Sequence, residues 1–159
     1  MKTPTFFIVL FLMITSSYSQ DTSKTKNIDG IVNKINQSNY QITRDTIIND
    51  KPEYGLKIKT YLTMKIDNNQ LKKYENFVNT IMNQNGKTRE ITTSSTFYYD
   101  ESKLIKVEEY MIEGSDKKVM DWYYSEDKPL YYTLKSEKAE ERAKLLLNIS
   151  DAMLKQIQK

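Results

Sequence analysis

Phe97-Tyr98-Tyr99-Asp100-Glu101-Ser102-Lys103-Leu104-Ile105 recurs 25 residues later as Trp122-Tyr123-Tyr124-Ser125-Glu126-Asp127-Lys128-Pro129-Leu130. Each copy reads as an aromatic strand end, three polar residues, a lysine and an apolar return: a strand, a tight turn and a second strand. A fainter copy, Met64-Lys65-Ile66-Asp67-Asn68-Asn69-Gln70-Leu71, precedes the first by 33 residues. This cassette decides an ambiguity over residues 70–82. Leu71, Tyr74, Val78, Ile81 and Met82 also fit one face of a helix. Aligned with the cassette, however, Leu71-Lys72-Lys73-Tyr74-Glu75 matches Leu104-Ile105-Lys106-Val107-Glu108 and is a strand. Asn85-Gly86 then becomes a two-residue hairpin turn of the favoured primed type.

Alternation supplies the next strand. Leu56, Ile58, Thr60, Leu62, Met64 and Ile66 share one face of residues 56–66, and Lys57, Lys59, Tyr61, Thr63 and Lys65 the other. Period 2 of this kind marks a half-buried antiparallel strand. Tyr40, Ile42, Ile47 and Ile48 suggest an earlier strand, and Val119–Tyr124 and Leu130–Leu134 two later ones. Pro129 suits the start of an edge strand, where its missing donor is not needed.

Two helices complete the reading. Ile28, Ile31, Val32 and Ile35 recur at helical spacing within residues 24–37, after a polar leader over 20–27. Ser136 can cap a final helix that has Glu137, Glu140 and Glu141 early and Lys155 and Lys159 late, matching the helix dipole. Its apolar stripe is Ala139, Leu146, Ile149, Met153 and Ile157. The expected fold is α+β: an antiparallel meander of six to seven strands, with the C-terminal helix and a short N-terminal helix covering its apolar face. Residues 20–159 form one domain.

The hairpin cassette resembles MORN-type repeats, in which aromatic-Tyr-x-x-x-Gly-Lys-Leu hairpins stack into a sheet. Both full copies have Ser102 or Asp127 where that pattern has glycine. The resemblance covers under a fifth of the chain and implies a scaffold or interaction role rather than a catalytic one.

Residues 1–19 read as a secretory signal peptide: Lys2, an apolar run from Phe6 to Ile14, then Ser17-Tyr18-Ser19 at the cleavage site. As a helix that run rises about 14 Å, too short for a hydrocarbon core of roughly 30 Å. Export to the periplasm or the extracellular space is therefore expected, with no transmembrane segment left after cleavage. An abundance of residues with AT-rich codons and the lack of cysteine point to a bacterial source.

Composition closes off much chemistry. The 159 residues contain no Cys and no His, which excludes disulfides, thiolate and histidine catalysis and Cys/His zinc sites. With Lys+Arg 24 against Asp+Glu 21, no blanket basic footprint points to nucleic acid. The acidic turns 67–69 and 125–127 lack the spacing of a calcium loop, so no metal and no cofactor is expected.

Two functional readings remain. Each tyrosine doublet, 98–99, 123–124 and 131–132, must put one ring on each face of the sheet. These rings either serve as cross-strand core pairs or expose a binding surface. On the second alternative the site is Tyr99, Trp122, Tyr124 and Tyr131, with Lys57 and Lys59 as a separate electrostatic patch. The partner would be an envelope or extracellular protein, with an inhibitor role included, ahead of a glycan. The rival is a carboxylate-dependent hydrolase of an envelope polymer, using Glu108 or Glu109 with Asp121. Glu108 and Glu109 are consecutive on a strand, so only one of them can share a site with Asp121.

Overall fold

The computed structural model describes residues 22–84 and 86–157. The signal segment, Asn85 of the hairpin turn and Lys159 lie outside them. The elements are α1 (Thr22–Gln37), β1 (Gln41–Lys51), β2 (Leu56–Asp67), β3 (Gln70–Gln84), β4 (Lys87–Asp100), β5 (Lys103–Glu113), β6 (Asp116–Ser125), β7 (Lys128–Tyr132) and α2 (Ala139–Ile157). A single 3₁₀ turn, Pro52–Tyr54, joins β1 to β2. The strands form one sheet in sequential order, every neighbour antiparallel. This is the α+β meander with two helices that the sequence predicts, and residues 70–84 are strand.

The three cassette copies fold alike. Asn68-Asn69, Glu101-Ser102 and Glu126-Asp127 each place both central residues at positive φ, between 47° and 64°. That is the primed hairpin geometry, achieved without glycine. One residue before each turn region the ladder slips, at Lys65/Ile66, Tyr98/Tyr99 and Tyr123/Tyr124. All three bulges therefore lie at the same end of the sheet, next to the cassette turns.

Both helices pack against that end, but on opposite faces. Ala139, Ala143 and Leu146 of α2 bury against Leu71, Phe97, Tyr99, Leu104, Val107, Trp122 and Tyr124. Ile28, Val32 and Ile35 of α1 bury against Tyr98 and Tyr123. This departs from the expectation that the helices share one apolar face, and the reason lies in the doublets. A Tyr-Tyr pair in extended backbone gives both faces a large ring, so both faces need a cover. The expected loose leader also differs, since residues 22–27 are the first turns of α1 and Thr25 is buried. On α2, Ser136 accepts the Ala139 N–H through its carbonyl (3.0 Å) and the Lys138 N–H through its hydroxyl (3.3 Å). Of the predicted stripe, Ile149 is exposed, and Ala143 and Ser150 face the sheet instead.

Beyond the helices the sheet continues bare. On the α1 face, Thr46, Tyr61, Phe77, Ser94, Tyr110 and Val119 form one cross-strand row over β1–β6, and only Ser94 in it is buried. On the α2 face, the row Ile47, Thr60, Val78, Thr93, Met111 and Lys118 contains no buried residue. Edge strand β1 is exposed along its whole length.

Candidate functional site

The structure takes the expected aromatic surface out of solvent. Tyr99, Trp122 and Tyr124 are 0–1% exposed and form the floor of the α2 core. The Tyr124 hydroxyl donates to the Ala143 carbonyl at 3.0 Å, and the Trp122 ring packs 5.6 Å from Tyr132. Tyr131 is half-buried beside Tyr123 in the cluster under α1. Burial pushes the phenols of Tyr98, Tyr99 and Tyr124 up, so they stay protonated. Tyr99, Trp122 and Tyr124 are core, and Tyr131 packs at the margin of the other cluster, because each face of the doublets has its own helix. A partner cannot reach Tyr99, Trp122 or Tyr124 without displacing α2.

One lysine of the expected patch is compensated. Lys57 pairs with Asp50 at 3.0 Å, and Lys59 sits half-buried between Ile48 and Asn79 in the ladder. It lies on the α1 face with Tyr61 but two positions away along the strand.

The carboxylates divide between the two helices. Glu109 is buried on the α2 face, where Arg142 grips it through Nε (3.2 Å) and a terminal nitrogen, and Ser95 donates to it at 3.1 Å. Glu108 and Asp121 are register partners on the α1 face. Lys106 lies beside both, its Nζ 3.0 Å from Glu108, 4.0 Å from Asp121 and 3.0 Å from Asp29 of α1. The Tyr123 hydroxyl also donates to Asp29 (3.0 Å), and the ammonium stands 4.9 Å from the Tyr123 ring centroid. Burial alone pulls the Lys106 ammonium down, but its bonds to Glu108 and Asp29 outweigh this and its pKa rises. Burial pushes Asp121 up, with Lys106 partly offsetting the effect. The arrangement is a clamp for α1: one buried cation shared by three carboxylates. A glycoside-cleaving pair would instead leave one carboxyl to a substrate, and here Lys106 stands against both. Among the described residues no set of three or more acidic side chains converges as metal ligands do.

In the row Tyr61, Phe77, Ser94, Tyr110, Val119 every residue but the buried Ser94 meets solvent. Tyr61 is 42% exposed, Val119 58% and the neighbouring Ile48 59%, while Phe77 and Tyr110 are half-buried. Tyr61 and Phe77 pack edge to face, centroids 5.9 Å apart at 61°. Polar rows flank the strip on both sides. Toward α1 lie Arg44, Thr63, Glu75, Thr96, Glu108 and Asp121; away from it lie Lys59, Asn79, Thr92 and Lys117 around Ile48 and Ile112. Alternation alone puts Tyr61 on the lysine face of β2, but its partners do not follow from the sequence, because the slip at Lys65/Ile66 decides which β3 residue stands opposite it. Among the described residues no helix is long and apolar enough to cross a membrane. No protein family, no curated protein and no solved structure matches the chain.

Proposed function

We propose that this is an exported, non-catalytic binding protein that receives a protein partner on the bare part of its α1 face. The observation that carries this reading is the exposed strip Ile48, Tyr61, Phe77, Tyr110 and Val119 lying beyond both helices. An apolar centre with aromatic anchors and a charged rim on either side has the anatomy of a protein interface. A sugar-stacking platform favours rings lying flat in the surface. Tyr61 and Phe77 stand edge to face rather than flat, which favours a protein over a glycan. The resemblance of the hairpins to MORN-type repeats agrees with an interaction role. The signal-like residues 1–19 support a partner in the envelope or outside the cell.

The test is capture by the immobilised protein from the producing organism's envelope and culture fluid, beside a Tyr61→Ser/Val119→Ser double variant. Both positions are exposed, so the variant should keep its fold, which the circular dichroism spectrum checks. A protein retained saturably by the wild type and lost by the variant is the expected result. Equal retention by both, or retention of glycan alone, rejects the reading.

A further inference from the structure

The two edges of the sheet are built differently. β7 has only five residues, begins Lys128-Pro129, and has α2 packed against it. Shortness, proline and a helical cover are the usual devices that stop an edge from pairing. β1 has none of them: eleven residues without Pro or Gly, exposed throughout, in unbroken register with β2. Ile47 points to the α2 face and Ile48 to the α1 face, 52% and 59% exposed. The Thr46 N–H is covered by the Asp45 carboxylate at 2.7 Å, a bond that strand pairing would exchange for one across the edge.

We propose that β1 pairs antiparallel with β1 of a second copy, centred on Ile47, joining the two sheets into one. A two-fold axis normal to the sheet keeps each face continuous, so residues of like parity stand opposite and the centre is a single residue. With the centre on Ile47, Arg44 of one copy faces Asp50 of the other, twice. Asp45 then faces Asn49, Thr43 faces Lys51, and no like charges meet. A centre on Thr46 sets every charged residue opposite an uncharged one. A centre on Ile48 pairs Asp45 with Lys51 but brings Pro52 opposite Arg44 and shortens the ladder. The Ile47 centre is thus the longest register in which opposite charges meet, and facing charges of opposite sign favour a cross-strand pair. This self-association does not depend on the partner proposed for the α1 face.

Sedimentation of the purified protein, expressed from the full chain, tests it with Arg44→Glu and Asp50→Lys variants. The wild type should have twice the monomer mass. Each variant alone sets like charges opposite each other twice and should fall to monomer. In the equimolar mixture the two substituted side chains face each other with opposite charge, and the native Arg44 and Asp50 that remain do the same. The mixture should therefore return to twice the mass. Asp50→Lys also loses its pair with Lys57, so the buried Trp122 reports whether each variant is folded. A monomeric wild type, or variants that sediment like it, overturns the proposal. A mixture of folded variants that stays monomeric overturns the Ile47-centred register.

Discussion

Replacing Lys106 by methionine keeps the aliphatic stem and removes the charge that holds α1 to the sheet. The Lys106 side chain is 8% exposed, while Asp29, Glu108 and Asp121 keep 44%, 38% and 31%. Breaking a fully buried ion pair costs about 3–5 kcal/mol. Here water can reach the three carboxylates once the ammonium is gone, which discounts that figure. The lost bonds to Asp29 and Glu108 and the lost cation–π contact then leave a penalty of about 2–3 kcal/mol at pH 7. The pH dependence identifies its origin. Asp121 already has a raised pKa in the folded chain through burial, so the folded state takes up its proton before the unfolded state does and gains stability as pH falls. Without Lys106 the offset that restrains this shift disappears, so the variant gains more on acidification than the wild type. Lys106 itself keeps its charge over this range; its contribution is lost only in alkali, above its ordinary value. Urea unfolding followed by Trp122, the chain's one tryptophan, should show a smaller deficit near pH 4 than at pH 7. A variant as stable as wild type at pH 7, or a deficit unchanged at pH 4, would refute the clamp.

Two further substitutions probe the fold. Tyr124→Phe removes the bond to the Ala143 carbonyl while keeping the ring in the α2 core, and should cost about 1 kcal/mol by the same unfolding assay; no loss would mean that this hydroxyl does not help seat α2. Gly55 has φ +60° and a Cβ there would stand 2.1 Å from the Asn83 carbonyl oxygen. Gly55→Ala must therefore open the β1–β2 connection away from β3, where Asn83 N–H donates to Gly55 O at 2.7 Å. A loss of about 2–4 kcal/mol is expected, with faster amide exchange at Asn83, and wild-type exchange there would contradict the close approach.

The meander is legible in the chain because turn chemistry and alternation agree: the cassette repeats mark three hairpins at one end, and period 2 marks the strands between them. The location of the exposed aromatic strip is not legible, and the bulges are the reason. Counting back from the Asp67–Gln70 pair without a slip puts Tyr61 opposite Asn76; the slip at Lys65/Ile66 moves it opposite Phe77. Likewise Asp100–Lys103 alone would set Ser94 against Glu109, and the slip at Tyr98/Tyr99 sets it against Tyr110. One extra residue in a strand changes which side chains meet across the ladder, and no residue type at these positions announces it. The doublets are readable as two-faced, but the covering of both faces depends on where α1 docks. That in turn rests on Asp29 reaching Lys106 across 77 positions of sequence.

On the proposed function the strip from Tyr61 to Val119 is covered by a partner in the envelope or the culture fluid, while the doublets 98–99 and 123–124 are core. Radical footprinting of tyrosine, on the purified protein and in whole cultures of the producing organism, measures both at once. Tyr54, 67% exposed on the β1–β2 connection, serves as the internal standard. Tyr98, Tyr99, Tyr123 and Tyr124 should stay silent in both samples, and Tyr61 and Tyr110 should be labelled in the purified protein but protected in culture relative to Tyr54. Equal labelling of Tyr61 and Tyr110 in the two samples would overturn the proposed function.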